Sequence, residues 1–336
     1  GFNPRLFNPY VQQWNLSLEK AKWETSWRAS YVGTKTTNLI YFRDINQRRT
    51  PNSDASRPYN ANAFTSNIGY LENGGSQIYH GLQLEARKRL EKGLMFQAGY
   101  VFSKNISDVL DQDDNDAKAI GTDGFNRGLD RGRVGYHRKH NFTAAAIWEL
   151  PLGRGRRLLG NLPARGDHLV SGWTLDAELF SGSGQWFSPC RIGSNPLTAM
   201  TCASQTARPD RVGDGNDGPR QTGSSVEKWF NTDAFREPGR DALGNAGRNI
   251  LEGPGFWHTS MSLTKKVRFL ERKEVWLSVV AMNVFNHPNF RSPGANTGEL
   301  TVGQAAFGST SSLLNTDRAA DRAKARAIWL RIRIMF

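Results

Sequence analysis

The chain has 336 residues, of which 38% are hydrophobic, and 44 Lys and Arg against 31 Asp and Glu give a net charge of +13. No run of about eighteen apolar residues occurs, which excludes a transmembrane helix. The positive charge lies in short clusters with no recognition module, so we expect no nucleic-acid partner. The six histidines are scattered, and HExxH, paired CxxC and nucleophile-elbow motifs are absent, so we expect no enzymatic activity.

Alternating apolar and polar residues predict four strands in the first third of the chain. The predicted strands are residues 8–20, 25–33, 78–89 and 94–103. Short turns join the first to the second and the third to the fourth. Long polar stretches, rich in Asn, Arg, Ser and Pro, follow the second and the fourth strand and predict loops over residues 34–77 and 104–138.

The same pattern continues to the end of the chain and predicts five more strands. They are residues 141–150, 172–180, 257–267, 275–285 and 326–336. A basic, glycine-rich connection follows the first of these strands, and a very long loop, residues 181–256, follows the second. A loop of about forty residues precedes the last strand.

The last strand has one apolar face and one face that carries two arginines. Its apolar residues occupy every second position: Ile328, Leu330, Ile332, Ile334 and Phe336. A strand of this length crosses a bilayer when tilted, and the alternation suits a barrel wall between lipid and water. A final strand that ends on an aromatic residue resembles the assembly signal of outer-membrane barrels, here Ile332, Ile334 and Phe336. A soluble β-sandwich is the alternative, because its strands alternate in the same way.

The connections between the nine predicted strands alternate between short and long. Outer-membrane barrels have short periplasmic turns and long extracellular loops, whereas a sandwich has no reason to sort its connections by length. The pattern therefore predicts an all-β, antiparallel transmembrane barrel in a bacterial outer membrane. The carboxy terminus is expected on the periplasmic side and the long loops on the extracellular side.

Nine strands are an odd number, whereas bacterial single-chain barrels have an even one and must close. The chain also opens on Gly1-Phe2-Asn3-Pro4, without the features of a signal peptide. We therefore expect about 9–12 strands of a larger barrel, whose first and last strands do not pair with each other.

Several sequence phrases, in order along the chain, resemble the carboxy-terminal half of TonB-dependent receptor barrels of the Oar-like type. They include NPYVQQWNLSLEK, YHGLQLEARKRLEKGLMFQAGYVFSK, HRKHNFTAAAIWELPLGRGRR, SGWTLDAELFSGSGQWF, GNAGRNILEGPGF and FNHPNF. The resemblance implies that residues 1–336 are the last part of a barrel of about 22 strands, without its plug and amino-terminal domains.

The resemblance also implies a function and partners. Outer loops would capture an unknown ligand, and energy supplied by TonB through the plug would drive its passage. Outer-membrane lipid and the barrel assembly machinery are the other expected partners. The alternative is a surface structural or adhesion protein that binds partners through its loops and transports nothing.

Two cysteines, Cys190 and Cys202, lie close together in the longest loop. In an oxidising compartment they would form a disulfide bond, with Cα atoms about 4.4 to 6.8 Å apart. Two free, buried thiols are the alternative.

An acidic run in the second long loop is the one candidate cation site. Its carboxylates are Asp111, Asp113, Asp114 and Asp116. Hard cations such as Ca²⁺ bind several oxygen ligands, but the glycine and the closing glutamate of an EF-hand are missing. A solvated loop is the alternative, and no other cofactor is expected.

Charged residues on the polar face of the predicted strands would line the barrel lumen. They are Arg28, Glu85, Arg87, Glu149, Asp176, Glu178, Arg331 and Arg333. Solvation of the wall and pairing between strands is the simpler role for these residues. Direct contact with a ligand is the alternative.

Overall fold

Nine long antiparallel strands dominate the computed structural model, which describes residues 1–110, 120–204, 206–218, 228–270, 273–294, 296–310, 312–313 and 326–335. In chain order, β1 to β9 are Tyr10–Lys22, Thr25–Asp44, Gly69–Glu91, Leu94–Ser107, His140–Glu149, Trp173–Gly182, Phe256–Leu270, Lys273–Met282 and Ala327–Met335. Each strand pairs with its neighbour in sequence. The predicted all-β, antiparallel fold is therefore confirmed.

The sheet is open within the described residues. β1 lies at one edge and β9 at the other, and the two do not pair with each other. Tight turns join the strands at one end. Trp23 and Glu24 connect β1 to β2 with φ angles of 54° and 57°, which suit the right-handed twist of a two-residue hairpin turn.

Alternate residues of a strand point to the same face of the sheet, and residues directly opposite each other on neighbouring strands share that face. The apolar residues of the nine strands therefore line up on one face. Leu330 lies opposite Val279, Val279 opposite Leu263, and Leu263 opposite Leu175. Leu330 and Ile332 are 82% and 69% exposed. The apolar face of β9 is therefore exposed, and no second layer covers it within the described chain.

The second and third strands extend well beyond their predicted ends. They pair from Thr25 opposite Lys88 as far as Asp44 opposite Gly69, so much of the predicted loop over residues 34–77 is wrong. Register shifts near Leu39 interrupt this ladder, and Asn38 has a φ of 59°. A bulge adds one unpaired residue and reverses the alternation, which hides the continuing strand from a period-two pattern.

The connection between β5 and β6 contains a short helix, α1, at Ala164–Val170. Arg154 donates a backbone hydrogen bond to Asp167 Oδ1 at 2.5 Å, which ties the glycine-rich segment to the helix. The connection is therefore folded rather than a simple turn. No helix in the described residues is long and apolar enough to cross a membrane.

The hydrophobic core lies in the long connections, not on the sheet. Every fully buried apolar side chain among the described residues is outside the nine strands. The main cluster consists of Phe187, Trp229, Phe230, Ala234, Phe235, Ala246, Leu251 and Phe290. A folded unit of loops therefore stands at one end of a sheet whose apolar face is left uncovered.

Candidate ligand-binding surface

The polar face of the sheet carries all eight charged residues predicted to face a lumen. Arg28 lies opposite Glu85, and Arg331 lies opposite Ser278. Followed from strand to strand, the register places all eight positions on the face opposite the apolar row. Whether this face contacts a ligand stays a prediction.

Part of this face is a ladder of paired charges between β1, β2 and β3. Arg28 Nε lies 2.7 Å from Glu19 Oε1, and Arg28 Nη1 lies 3.8 Å from Glu85 Oε2. Arg28 and Glu19 are more than half exposed. Exposed pairs of this kind contribute about 0 to 1 kcal/mol, so they solvate the wall more than they stabilise it.

The other end of the polar face is more cationic. Lys266 Nζ lies 4.6 Å from the centre of the Trp276 ring, and the Arg333 guanidinium lies 5.7 Å from it. Arg331 lies two residues before Arg333 on the same face. Cations over an indole are attracted to its electron-rich face, so Trp276 attracts both positive side chains.

The four long connections pack together above one end of the sheet. We call their described parts, within residues 45–68, 108–139, 183–255 and 283–326, the loop assembly. Phe230 is 2% exposed at its centre and meets Phe235 edge to face, with ring centres 6.0 Å apart. Aromatic pairs in this arrangement contribute about 0.5 to 1.5 kcal/mol beyond the burial of their surface.

A buried arginine fastens the loop assembly to β4. Arg248 is 1% exposed, and its Nη1 donates hydrogen bonds to the backbone oxygens of Val109 at 2.6 Å and Asp130 at 3.2 Å, with a longer one to Ser107. A buried guanidinium without such acceptors would be strongly destabilising. Arg248 therefore fixes the third long connection against the second.

A second buried cation forms an ion pair across the same two connections. Arg208 Nη2 lies 2.5 Å from Asp130 Oδ1, and both side chains are about 3% exposed. Asp130 also accepts hydrogen bonds from the Thr122 backbone N–H at 2.8 Å and the Thr122 hydroxyl at 2.6 Å. Burial lowers the pKa of Arg208, and the charge of Asp130 opposes that shift.

The two cysteines form a disulfide bond within the loop assembly. The sulfur atoms of Cys190 and Cys202 are 2.02 Å apart, and the Cα atoms are 5.4 Å apart. That Cα separation lies inside the predicted interval. Cys190 also exchanges backbone hydrogen bonds with Leu300 and Val302, at 2.7 and 3.0 Å, so the disulfide loop is attached to the fourth long connection.

The first long connection is stabilised by ion pairs within it and by backbone hydrogen bonds to the third long connection. Arg57 Nε lies 2.8 Å from Asp54 Oδ1, and Arg48 Nε lies 2.7 Å from the same atom. These hydrogen bonds lower the pKa of Asp54 to about 2. The Arg48 backbone N–H donates to Leu197 at 3.1 Å.

One histidine in the second long connection is buried against a strand. His137 is 7% exposed, and its Nε2 lies 3.0 Å from the Ser103 hydroxyl. Burial, reinforced by the positive charge of Arg133, lowers the pKa of His137 to about 4. The imidazole is therefore neutral at pH 7.

Two of the predicted sites fall outside the described residues. They are the acidic run of Asp111, Asp113, Asp114 and Asp116, and the final residue of the assembly signal, Phe336. In the part of the chain that the structure describes, no three His, Cys, Asp or Glu side chains are placed to hold a metal ion. Ile332 and Ile334 lie on the apolar face of β9.

Sequence reasoning did not find the buried charges of the loop assembly. Arg208 is 78 residues from Asp130, and Arg248 is 139 residues from Val109. No local motif marks such pairs, because the chain brings them together only by folding. The arrangement places a surface of packed loops at one end of a polar wall.

The sequence of this chain matches a known protein family. The sequence matches the family described as "Outer membrane beta barrel domain" over residues 1–323. No curated protein is significantly similar to this chain.

Several solved structures are similar to this chain at low identity. The outer membrane transporter YddB from Escherichia coli is 11% identical, with a TM-score of 0.47, over 98% of this chain and 33% of its own. The siderophore receptor PiuA from Acinetobacter baumannii is 9% identical, with a TM-score of 0.45, over 97% and 28%. The FrpB iron transporter from Neisseria meningitidis is 11% identical, with a TM-score of 0.42, over 99% and 31%. The chain spans about a third of the length of these proteins.

Proposed function

The chain belongs to the outer membrane β-barrel domain family, and on that premise we propose that it forms the carboxy-terminal wall of a TonB-dependent transporter of the Oar-like type. The outer loops of such a protein capture a ligand, and energy from TonB moves it past a plug. The sequence phrases that resemble Oar-like receptors support this type.

The observation that carries the proposal is the open sheet with an uncovered apolar face. β1 and β9 each have one edge without a strand partner in the described chain. Backbone N–H and C=O groups cannot be left unpaired in hydrocarbon. In the proposed transporter, further strands pair with both edges, and a barrel of about 22 strands is wide enough to hold a plug.

The two faces of the wall and the loop assembly support a role in binding and transport, rather than in catalysis. The polar face presents both signs of charge to the lumen, including Asp176 on β6 and Arg331 on β9. Buried charges and a disulfide hold the loops in one arrangement. A surface ordered in advance binds a ligand at a lower entropic cost than flexible loops do.

Growth and uptake measurements in the source bacterium test this proposal. One strain lacks the intact protein and another lacks TonB, and both are supplied with a panel of scarce, bulky nutrients. We expect at least one uptake defect that the two strains share, and its restoration by the intact gene only when TonB is present. Normal uptake of every nutrient together with lost surface attachment would instead identify a structural or adhesion protein.

A further inference from the structure

The connection between β5 and β6 is far longer than the other described connections at the tight-turn end of the sheet. It spans residues 150–172, whereas the connections after β1 and β3 are residues 23–24 and 92–93. It contains four arginines and one acidic residue, Asp167, and we call it the basic connection. A hairpin closes with two residues, so this segment has a length that closing the hairpin does not require.

The basic connection is compactly folded. Leu152 and Leu158 form a bridge, and the Gly153 backbone N–H donates a hydrogen bond to the Leu158 oxygen at 3.1 Å. A Cβ added at Gly153 would lie 2.6 Å from both Asp167 Oδ1 and Ser171 Cβ, so this segment packs closely against α1 and the residues that follow it. The segment before α1 and α1 itself therefore form one surface.

The end of the basic connection lies over the apolar face of the sheet. Lys265 is on this face, two residues after Leu263, and lies opposite Trp173. The Lys265 ammonium donates a hydrogen bond to the backbone oxygen of Ser171 and lies 5.6 Å from the centre of the Trp173 ring. Lys265 is consequently only 7% exposed. The Trp173 indole N–H donates to the Leu169 oxygen at 3.2 Å, which fixes the end of α1 beside the apolar face.

Two tryptophans mark this level of the apolar face as a boundary between lipid and water. Trp148 is 41% exposed and lies opposite Leu175, two residues after Trp173. Tryptophan is enriched where a membrane meets water. Short turns mark the periplasmic ends of barrel strands, so this boundary is the periplasmic one. The basic connection begins two residues after Trp148 and ends just before Trp173, which places it at that boundary.

The surface of the basic connection combines exposed leucines with exposed arginines. Leu158, Leu159 and Leu169 are 50%, 56% and 76% exposed. The exposed arginines are Arg154, Arg156 and Arg157. The one carboxylate, that of Asp167, already accepts a hydrogen bond from the Arg154 backbone N–H. Apolar side chains beside clustered cations are typical of segments that lie in the interface of an anionic membrane.

We propose that the basic connection binds anionic phospholipids of the periplasmic leaflet through their phosphate groups. The leucines contact the acyl chains and extend the apolar face, while the arginines bind the phosphates, which match the planar fork of a guanidinium. A soluble periplasmic partner would meet the arginines, but the attachment of α1 to the apolar face favours lipid. The proposal requires that the sheet faces lipid and does not depend on whether the protein transports a ligand.

Lipid titration of the intact protein in neutral detergent tests the role of the arginines. The probes are phosphatidylglycerol and phosphatidylcholine with the same acyl chains, and native mass spectrometry measures the bound fraction. For Arg154→Gln/Arg156→Gln/Arg157→Gln we expect about fivefold weaker binding of phosphatidylglycerol for each arginine removed, and about a hundredfold in all. Phosphatidylcholine should bind the wild-type protein and this variant equally weakly.

Two further variants separate the position of the charge from its amount. Arg154→Lys/Arg156→Lys/Arg157→Lys keeps the charges and should keep most of the binding. Lys228→Gln/Arg236→Gln/Arg240→Gln removes three exposed cations from the loop assembly, at the other end of the sheet, and should bind as the wild type does. Equal losses in the two triple Gln variants, or none in the first, would overturn the proposal. Displacement of phosphatidylglycerol by an equal concentration of inorganic phosphate would also overturn it, because it would indicate a site for free phosphate.

Spin labels test whether the leucines contact lipid. Leu159→Cys and Leu169→Cys are labelled one at a time in the intact protein, in vesicles that contain phosphatidylglycerol. We expect both labels to be more accessible to oxygen than to a water-soluble nickel chelate. Labels at residues 144 and 146 on β5 serve as the reference for the sheet. Lipid contact at 144 and 146 together with water contact at 159 and 169 would overturn the proposal and leave the barrel assignment intact.

Discussion

Buried charges connect the long loops of this protein at the level of single residues. The side chains of Arg208 and Asp130 are about 3% exposed, and Arg248 is 1% exposed. Each of the three forms hydrogen bonds with residues from a different part of the chain. Burying an ion is costly unless all of its hydrogen-bonding groups are satisfied. Losing one partner should therefore loosen several loops at once.

Asp130→Asn tests the buried pair. The change leaves Arg208 charged and without its carboxylate, so we expect the free energy of opening of the loop assembly to fall by about 3 to 5 kcal/mol. Hydrogen exchange of residues 120–139 and 206–218 measures this free energy of opening. Asp214→Asn is the control, because its partner Arg211 is 3.6 Å away and both side chains are exposed. Equal effects of the two changes would contradict this account.

Acid should weaken the loop assembly through His137. Its pKa is about 4 in the folded protein and about 6.5 in the unfolded chain, so the unfolded chain takes up the proton first as the pH falls. The stabilisation is complete above about pH 6.5 and is lost progressively down to about pH 4, with roughly 2 kcal/mol lost at pH 5.

His137→Asn should remove much of this pH dependence, because an asparagine does not titrate. Hydrogen exchange of residues 120–139 at pH 7 and pH 5, corrected for the intrinsic rates, measures it. His168→Asn is the control, since His168 is exposed. A pH dependence that persists in His137→Asn would show that another group is responsible.

At the scale of the strand, alternation in the sequence predicted which residues share a face. Arg331 and Ile332 were placed on opposite faces from the sequence, and the β8–β9 register agrees. The extension of β2 past Thr37 could not be predicted, because the bulge at Leu39 breaks the period. The buried pair of Arg208 and Asp130 also lay beyond prediction, because local periodicity carries no signal about partners 78 residues apart.

Ile332→Arg should be costly in a bilayer, while Arg331→Gln should not. An arginine on the lipid face near the middle of the membrane costs about 2 to 4 kcal/mol, whereas Arg331 already lies on the opposite, polar face of β9. Urea titration of the intact protein in lipid vesicles measures both changes. Equal stability of the two variants would mean that the faces of β9 are assigned wrongly.

The disulfide should hold the third long connection in place. Cys190→Ser/Cys202→Ser removes a closed loop with a sequence separation of 12 residues, and we expect about 3 kcal/mol less protection for residues 190–204. Limited proteolysis and hydrogen exchange of the intact protein measure it. Reduction of the wild-type protein should reproduce the effect, and unchanged protection in the double variant would contradict it.

At the scale of the whole molecule, the hydrophobic core and the apolar sheet face are in different places. A soluble protein buries its apolar sheet face under a second layer, whereas here the buried apolar residues lie in the loops. Exposed apolar surface on this scale is stable only against another apolar phase. We therefore expect the sheet to separate lipid from a water-filled interior.

Spin labels on neighbouring residues of β5 and β9 distinguish a face in contact with lipid from a face in contact with water. In the intact protein in lipid vesicles, Ala144→Cys, Ala145→Cys and Ala146→Cys are labelled one at a time, as are Leu330→Cys, Arg331→Cys and Ile332→Cys. Collisions with oxygen report lipid, and collisions with a water-soluble nickel chelate report water. We predict that 144, 146, 330 and 332 are accessible to oxygen, whereas 145 and 331 are accessible to nickel. Equal accessibility of neighbouring residues, or the opposite alternation on either strand, would contradict the account.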